Sequence, residues 1–484
     1  MKFHRTLLVT LQIVAVVFSC AGIAHAELHL PAIFNDHMVL QRDMPVPIWG
    51  KAAPGVSVTI QFNGQVAVAV ANDAGKWSVP LEPMNAGGPY EFIITTNQET
   101  RTLTDVYVGE VWLCSGQSNM DMRLNKVANG DAEVANADHA KIRLFRVERA
   151  MSDDPQDDVE GSWAPCTPES VEYFSAVAYF LGRDLHQELK VPVGLIHCAY
   201  GGTPAEAWTS REAIEAVHEL TPIADKHRAK KPGAELDRHD PYVLYNAMLR
   251  PLIPYAVRGA TWYQGESNTW RSKQYEPLLT TMIKDWRSRW QQPDMPFGIV
   301  QLTSYANPPR VPRGEASWPE LRESQLRVAN NLDNTGLIVT IDIGDPTDVH
   351  PLNKQDIGHR LALWAMDTVY GHDVVSSGPV FRDATIEGDK VILTFDHTGS
   401  GLAVRAGGAL KGFVIAGPDR KFRWAKAEIM GDQIVVSEAK VPEPQAVRYA
   451  WDEDPYWANL INAEGLPATP FRTDNWPGIT DTSR

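Results

Sequence analysis

The chain has 484 residues, of which 44% are hydrophobic and 22% are charged, and its formal net charge at pH 7 is −15. These fractions are typical of a globular protein, and the length predicts two or three domains, because a single hydrophobic core rarely grows so large. The sequence has no long basic run, which argues against a nucleic-acid partner, since phosphate binding needs a basic patch.

Residues 1–26 have the pattern of an export signal. Two basic residues precede an apolar segment at residues 7–23, and Ala24-His25-Ala26 matches a small-x-small cleavage site. We therefore expect an exported protein, either periplasmic or secreted. Two alternatives remain open: the segment is nearly long enough for a membrane anchor, and Cys20 is a weaker candidate for a lipoprotein cysteine. No later segment approaches the length of a membrane span.

Residues 27–105 predict a small antiparallel β-sandwich. Four segments alternate in hydrophobicity or are apolar throughout, and turn-forming sequences such as Asn63-Gly64 separate them. The four predicted strands are Val58–Phe62, Val66–Val70, Lys76–Val79 and Tyr90–Ile94.

Residues 106–372 alternate between apolar strands and helical patterns, which predicts a parallel sheet covered by helices on both faces. The predicted strands are Val106–Cys114, Val191–Cys198, Gly259–Tyr263, Phe297–Leu302 and Leu337–Ile343. The predicted helices are Phe174–Leu189, Tyr245–Leu249, Tyr275–Trp290, Leu321–Asn330 and Ile357–Tyr370. Short strands return in residues 373–484, so we predict a second β-rich region there.

Three cysteines remain after removal of the predicted signal, namely Cys114, Cys166 and Cys198. They are too few for a disulfide framework and contain no CxxC pair of the kind that binds metal. One bridge is possible, but we expect small buried residues instead.

Small and polar residues follow four of the predicted strands, at the point where each strand ends. These segments are Gly116–Met120, Ala199–Thr203, Tyr263–Asn268 and Asp342–Pro351. Because reactive groups in parallel sheets cluster beyond the carboxyl ends of the strands, the four segments together predict a site.

A serine nucleophile is the chemistry that this site favours. Ser118 lies between Gln117 and Asn119, and a serine hydroxyl needs a base to accept its proton and a carboxylate to orient that base. His350 is the candidate base, with Asp348 or Asp345 as the carboxylate. The backbone N–H groups of Ser118 and Gly202, together with a side-chain amide, are candidate donors to an oxyanion.

Each assignment has an alternative. Ser118 could be a helix N-cap, since serine is a preferred residue there, and His350 could be an ordinary loop histidine. His197 is the main competitor as base, although its apolar strand favours a core histidine. Glu266 could be a second acid/base carboxylate or a structural hydrogen-bond acceptor.

At these residues the sequence resembles the sialate O-acetylesterase family, carbohydrate esterases related to the SGNH hydrolases. The resemblance covers nearly the whole chain after the predicted signal. The blocks that carry it are, in chain order, residues 30–34, residues 38–42, GEVWLCSGQSNM, GGTPAEAW, WYQGESN, DVHPLNKQDIGHRLA and NLINAEGLPATPFRTD.

The resemblance implies a serine esterase that removes acetyl groups from sugar hydroxyls without a metal or other cofactor. It implies Ser118 as nucleophile and His350 as base, and it places Gly202 and the Gln264-Gly265-Glu266 segment in the oxyanion blocks. Gln117 and Asn268 join the predicted substrate-binding set. The implied fold is a flavodoxin-like, three-layer SGNH hydrolase domain with flanking β-sandwich regions.

The position of the carboxylate that would orient His350 differs from the pattern of many SGNH relatives, which place this residue three positions before the histidine. Here that position is Thr347, so Asp348 is preferred, with Asp345 and Glu266 as alternatives, and a dyad assisted by a backbone carbonyl also stays open.

The substrate is expected to be an acetylated carbohydrate, with a sialate 9-O-acetyl ester preferred and acetylated xylan or another plant glycan as alternatives. Two other classes remain: a glycosidase using Glu266 with Asp345 or Asp348, and a non-catalytic glycan-binding protein whose tryptophans stack on sugars. A sialate carboxylate would favour an arginine in the pocket, and loop position suggests Arg123, Arg271 and Arg310. The sequence predicts nothing about oligomeric state.

Overall fold

The computed structural model describes residues 28–229, 234–306, 311–312 and 314–483. The predicted export signal and Arg310 lie outside these residues. Within the described part, no helix combines the length and apolar character needed to cross a membrane.

The strands of the first half of the chain are β1 Val39–Gln41, β2 Val46–Lys51, β3 Ser57–Phe62, β4 Gln65–Val70, β5 Lys76–Leu81, β6 Gly87–Thr95, β7 Thr100–Gly116, β8 His139–Arg146, β9 Trp163–Cys166 and β10 Val193–Ala199. Those of the second half are β11 Gly259–Tyr263, β12 Phe297–Val300, β13 Thr335–Ile338, β14 Val380–Glu387, β15 Lys390–Asp396, β16 Leu402–Val404, β17 Phe413–Ala416, β18 Arg423–Trp424, β19 Lys426–Met430, β20 Gln433–Ser437, β21 Ala446–Tyr449, β22 Leu460–Asn462 and β23 Phe471–Arg472.

The α-helices are α1 Ser118–Asp121, α2 Gly130–Ala135, α3 Pro168–Val171, α4 Ala176–Leu189, α5 Arg211–Ala216, α6 Thr221–Arg228, α7 Ser272–Arg289, α8 Ser317–Asn331 and α9 Gln355–Thr368. Short 3₁₀ helices cover Leu124–Lys126, Ala205–Trp208, His218–Leu220, Arg250–Leu252 and Glu266–Arg271, and a π-helical turn covers Tyr245–Leu249.

The central sheet has the strand order β13-β12-β11-β7-β10-β8-β9. All neighbours in this order pair in parallel except β8 and β9, which are antiparallel. The strands next to β7 are fully buried apolar runs, as parallel strands covered on both faces should be. The predicted parallel sheet is therefore present, with one antiparallel strand at its edge.

Helices pack on both faces of this sheet. Along β7, Val111 and Leu113 belong to the hydrophobic cluster that includes α7 and α8. Trp112 and Cys114 face the other way and join the cluster that includes α4 and α9. This alternation follows from the two-residue period of a strand, and it makes β7 the middle of the core.

Strand β7 is also where the central sheet meets the N-terminal β region. Its first half pairs with β6, and β1 pairs with it in parallel, so one strand runs through both regions. The C-terminal residues form two further four-stranded sheets, ordered β14-β15-β20-β19 and β18-β17-β21-β23. The architecture is thus mixed α/β with additional β-sheets at both ends of the chain. Cys114, Cys166 and Cys198 are buried and unbridged.

The strands around β7 end at one level. Gly116 is the register partner of both Ala199 and Tyr263, and Tyr263 pairs with Val300, which in turn pairs with Ile338. Strand β13 therefore ends at Ile338, five residues before the predicted end, and the segment leading to His350 begins there. All four predicted loops consequently leave the sheet from the same edge.

Candidate active site

Ser118 sits where β7 gives way to α1. Gly116 has φ 144°, and a Cβ there would collide with the backbone of Tyr263 on the neighbouring strand, so the close approach requires glycine. The Gln117 N–H donates to the Tyr263 carbonyl at 3.0 Å. Ser118 is then the first helical residue and is half-buried, so its hydroxyl remains reachable from solvent.

His350 contacts the serine hydroxyl. Its Nε2 lies 2.9 Å from Ser118 Oγ, and its Nδ1 lies 3.0 Å from Asp348 Oδ1. A carboxylate only accepts hydrogen bonds, so Nδ1 carries the proton and Nε2 is left as the acceptor for the serine O–H. Asp348 Oδ1 also accepts from the His350 backbone N–H at 2.8 Å, which fixes the short loop between the two residues.

The other acid candidates lie elsewhere. Asp345 Oδ1 accepts from the Thr347 N–H and hydroxyl, both at 2.7 Å, and from the Asp348 N–H at 3.3 Å, so it caps a turn. The hydroxyl of Thr347 holds the pKa of Asp345 below its ordinary value. Glu266 hydrogen-bonds to Asn119 and not to the imidazole. The structure brings together Ser118, His350 and Asp348.

Asn119 joins three loops beneath the nucleophile. Its Nδ2 donates to Glu266 Oε1 at 2.5 Å and to the Val349 carbonyl at 3.0 Å. Its Oδ1 accepts from Lys354 Nζ at 2.5 Å. Lysine can only donate and a carbonyl can only accept, so these neighbours determine which way the amide points. The side chain next to Ser118 is thereby tied to the residue before His350.

Glu266, which is half-buried, and Lys354, which is fully buried, hydrogen-bond to opposite ends of that amide. Burial raises the pKa of Glu266 and lowers the pKa of Lys354 to about 7, in each case because the charged form loses its hydration. The attraction between the two opposes both shifts. Lys354 also lies 5.3 Å from the centre of the Tyr263 ring, and Glu266 Oε2 has no hydrogen-bond partner among the described residues.

The glycine turn after β10 packs against the nucleophile. A Cβ on Gly201 would lie 3.4 Å from Ser118 Cβ. Gly202 has φ 75°, a conformation that favours glycine, and the Thr203 hydroxyl donates to the Tyr200 carbonyl at 2.7 Å to close the turn. The predicted oxyanion residue Gly202 is therefore one position from direct contact with Ser118.

Gln264 and Asn268 are fully buried and hydrogen-bond within the protein. Gln264 Nε2 donates to the Thr203 carbonyl at 3.2 Å and to Asn268 Oδ1 at 2.6 Å, which uses both of its N–H groups. Asn268 Oδ1 also accepts from the Ala205 N–H at 3.1 Å. These two amides connect the glycine turn to the loop after β11. Gln117 Oε1 accepts from backbone N–H groups of the same loop, at 3.4 Å from Gly265 and 3.3 Å from Ser267.

His197, the competing base, lies inside β10 with only 3% of its side chain exposed. Its two ring nitrogens have no hydrogen-bond partner among the described residues, and Nε2 lies 3.5 Å from Asp121 Oδ1. Burial lowers the pKa of His197 to about 4. The structure therefore gives it the core position that its apolar strand favours.

The arginines suggested by loop position differ in their surroundings. Arg271 is buried and forms an ion pair with Glu206, so its charge is neutralised inside the protein. Arg123 is exposed and lies 5.3 Å from the centre of the Tyr173 ring.

Sequence reasoning gave no role to Lys354, although it belongs to the DVHPLNKQDIGHRLA block. Its spacing four residues after His350, in a segment with a polar pattern, could have suggested a link to the site. Arg238 was missed because nothing in its own sequence neighbourhood marks it as adjacent to the glycine turn.

The arrangement can perform acyl transfer on a hydroxyl nucleophile. A serine O–H points to an imidazole whose other nitrogen is held by a carboxylate, and a glycine turn lies beside the same serine. Among the described residues, no group of three or more His, Cys, Asp or Glu side chains is arranged to hold a metal ion.

Comparisons with known proteins agree with this chemistry. A family model described as "Carbohydrate esterase, sialic acid-specific acetylesterase" matches residues 108–366. Sialate O-acetylesterase from Mus musculus is 30% identical, over 96% of this chain and 97% of that protein. The Homo sapiens sialate O-acetylesterase is 32% identical, over 75% of each chain. The crystal structure of a carbohydrate acetylesterase from Xanthomonas citri is 40% identical with a TM-score of 0.86, covering 93% of this chain and 100% of that one.

Proposed function

The chain belongs to the sialic acid-specific acetylesterase family of carbohydrate esterases, and on that premise we propose that it hydrolyses O-acetyl esters of sugars with Ser118 as nucleophile, preferring a sialate 9-O-acetyl ester. The observation that carries the proposal is the chain of contacts from Ser118 Oγ to His350 Nε2 at 2.9 Å and from His350 Nδ1 to Asp348 at 3.0 Å.

The reaction follows from these contacts. Ser118 Oγ attacks the acetyl carbonyl carbon while His350 Nε2 accepts the hydroxyl proton, and Asp348 stabilises the imidazolium that forms. The tetrahedral intermediate collapses as the bond to the sugar oxygen breaks and His350 returns the proton to that oxygen. Water then attacks the acetyl-enzyme, with its proton passing through His350, and acetate leaves as Ser118 regains its hydrogen.

The oxyanion of each tetrahedral intermediate needs donors beside Ser118. Its own backbone N–H, at the start of α1, and the N–H of Gly202 in the adjoining turn are the proposed pair. Gln117 is the proposed source of a side-chain amide, because its Oε1 is held by two backbone N–H groups and the predicted alternatives Gln264 and Asn268 are buried in other hydrogen bonds.

Glu266, Asn119 and Lys354 are proposed to position the reacting groups without touching the substrate. Their hydrogen bonds fix the Val349 carbonyl relative to the residue after Ser118, and therefore the imidazole relative to the hydroxyl. Misplacement of reacting groups by as little as 1 Å can cost about 100-fold in rate, so such a link matters to catalysis.

The 3₁₀ helix that begins at Glu266 offers a surface for the sugar. Trp270 at its end is 55% exposed, and flat aromatic rings stack well on the apolar faces of pyranoses. An acetylated plant glycan would use the same ring, so this contact supports a carbohydrate substrate without choosing among sugars.

The glycosidase alternative finds no support at this site. Asp348 hydrogen-bonds to His350 and Glu266 hydrogen-bonds to Asn119, so each carboxylate already has a partner within the protein, whereas a glycosidase needs both to act on the sugar.

We also propose that the central region has the flavodoxin-like SGNH arrangement, which the parallel sheet with helices on both faces supports. The division into residues 27–105, 106–372 and 373–484 stays a prediction. Export to the periplasm or outside the cell likewise rests on the predicted signal at residues 1–26.

Ser118→Ala tests the proposal. Acetate release from 9-O-acetylated sialic acid and from p-nitrophenyl acetate should fall by at least about 10⁴-fold, since removing a nucleophile leaves only the contribution of binding and oxyanion stabilisation. Ser115→Ala, at a buried position in β7 shortly before the nucleophile, is the control and should keep its activity. Wild-type rates in the Ser118 variant would refute the serine mechanism, and binding without acetate release in both proteins would favour a glycan-binding role.

A further inference from the structure

One guanidinium lies against the glycine turn beside the nucleophile. A Cβ on Gly202 would lie 3.4 Å from Arg238 Nη2 and 3.6 Å from its Cζ. The same Cζ lies 5.7 Å from the centre of the Tyr200 ring. Since Gly201 packs against Ser118, the tyrosine and two glycines place this positive charge at the side of the proposed acetyl-binding position.

The charge of Arg238 is uncompensated among the described residues. No carboxylate forms a salt bridge with it, and its side chain is exposed. The adjacent carboxylate of Asp237 lies 2.5 Å from His239 Nδ1. The other guanidinium on the Tyr200 ring, that of Arg149, is paired with Asp121.

A neighbouring arginine shows the contrast. Arg271 is buried and its charge is used by Glu206. A buried cation is normally paired in this way, whereas the exposed guanidinium of Arg238 has its planar fork of N–H groups available to a planar anion.

We propose that Arg238 binds the carboxylate of the substrate, so that the enzyme selects acetyl esters of carboxylated sugars over those of neutral ones. This inference rests on the proposed function of Ser118. A chain with a net charge of −15 repels an anionic sugar at long range, and a local cation at the mouth of the site offsets that repulsion. Guanidinium and carboxylate form two parallel hydrogen bonds, which would also orient the sugar with its ester toward the serine.

The test compares substrates that differ only in the carboxylate. Arg238→Gln and wild type are assayed on 9-O-acetylated sialic acid, on its methyl ester at the carboxyl group, and on p-nitrophenyl acetate. The variant should lose about 10- to 100-fold in kcat/KM on the free acid, mainly through KM, as expected for loss of a hydrogen-bonded charge pair. Its rates on the methyl ester and on p-nitrophenyl acetate should stay within about twofold of wild type, because neither presents a carboxylate to a guanidinium.

Arg420→Gln is the matched control. Arg420 is also an exposed arginine beside an aromatic ring, 5.1 Å from the centre of Trp476 in the C-terminal region, and its loss changes the net charge equally. It should match wild type on all three substrates. An equal loss by Arg238→Gln on all three, or no loss on the free acid, would overturn the inference while leaving the serine mechanism intact. Failure of the proposed function itself would appear separately, as an active Ser118→Ala variant.

Discussion

Two histidines beside aspartates occupy opposite environments in this molecule. His350 lies on a loop beyond the carboxyl edge of the sheet, where 37% of its side chain and 55% of that of Asp348 are exposed. His197 lies within β10, where its side chain is 3% exposed and Asp121 is 3.5 Å away. Both residues have a carboxylate close by, but only His350 also contacts a hydroxyl, Ser118.

The difference shows that a carboxylate neighbour is not enough to make a catalytic base. A base must change its protonation state during the reaction, and an imidazole in contact with water and with an aspartate can hold the cation. Inside the sheet the cation has no hydration, and burial lowers the pKa of His197 to about 4. The loop therefore allows His350 to act as a base, whereas burial within β10 prevents His197 from doing so.

Exchanging each histidine for glutamine gives the largest effect that this comparison predicts. His350→Gln should reduce kcat for acetate release by at least about 10⁴-fold, because the proton acceptor is lost. His197→Gln should keep kcat within a few-fold of wild type, provided that the variant is folded by circular dichroism. Comparable losses in both variants would erase the distinction, and a dominant loss in His197→Gln would reverse it.

Much of the fold could be predicted from the sequence because buried parallel strands and amphipathic helices leave strong patterns. Strand β11 was predicted at its observed limits, and α4 differs from the prediction only by starting at Ala176. The end of β13 was missed because apolar residues continue at positions 339, 341 and 343 after the ladder stops. There Thr340 Oγ1 bonds the Gln301 carbonyl at 2.7 Å, and Ile341 enters the core of the C-terminal region. Tertiary packing, not strand pairing, accounts for those apolar residues.

The site was predictable to the extent that its residues follow strand ends. Ser118 lies just after β7 and His350 lies in the segment that follows β13, and the common level of the strand ends brings the two segments together. The sequence did not decide between Asp348 and Asp345, because both lie within a few residues of His350. In the structure, Asp345 accepts hydrogen bonds within its own turn, whereas Asp348 contacts the imidazole. The role proposed for Arg238 could not be predicted for another reason: it is distant from Gly202 in sequence, and only the fold brings the two residues together.

Lys354 extends this contrast, because it is a buried ionisable group that donates a hydrogen bond to Asn119, whereas the ring nitrogens of His197 have no hydrogen-bond partner among the described residues. Lys354→Met removes the donor to Asn119 and leaves Glu266 without a nearby cation. We expect kcat to fall by about 10- to 100-fold with little change in KM, because the imidazole and hydroxyl lose their alignment. The free energy of unfolding should also fall, because Asn119 loses its hydrogen-bond donor and Glu266 loses the attraction of the lysine.

A double variant separates alignment from stability. In Lys354→Met with Glu266→Gln, both charges are gone, so most of the stability should return while kcat stays low. Recovery of kcat together with stability would mean that Lys354 only stabilises the fold. A thermal or urea unfolding curve and steady-state kinetics on one protein preparation measure both quantities.

The smallest effect concerns the pH dependence of stability. The pKa of His197 is lowered from 6.5 to about 4 in the folded protein, so between these values the unfolded chain binds the extra proton. The free energy of unfolding should therefore fall as pH decreases from 6.5 to 4, by up to about 3 kcal/mol from this one residue. Asp121 opposes the shift, whereas Arg146 and Arg149 add to it, but burial is the largest cause.

His197→Gln removes this contribution without introducing a titrating group. Urea unfolding of wild type and variant at several pH values should give a difference in unfolding free energy that is constant above about pH 7.5 and shifts in favour of the variant as the pH falls to 4. The contributions of the carboxylates to the unfolding free energy are the same in both proteins, so they cancel in the difference. Parallel curves would mean that His197 is protonated as easily in the folded chain as in the unfolded one, and the strand would then not be what keeps this histidine from acting as a base.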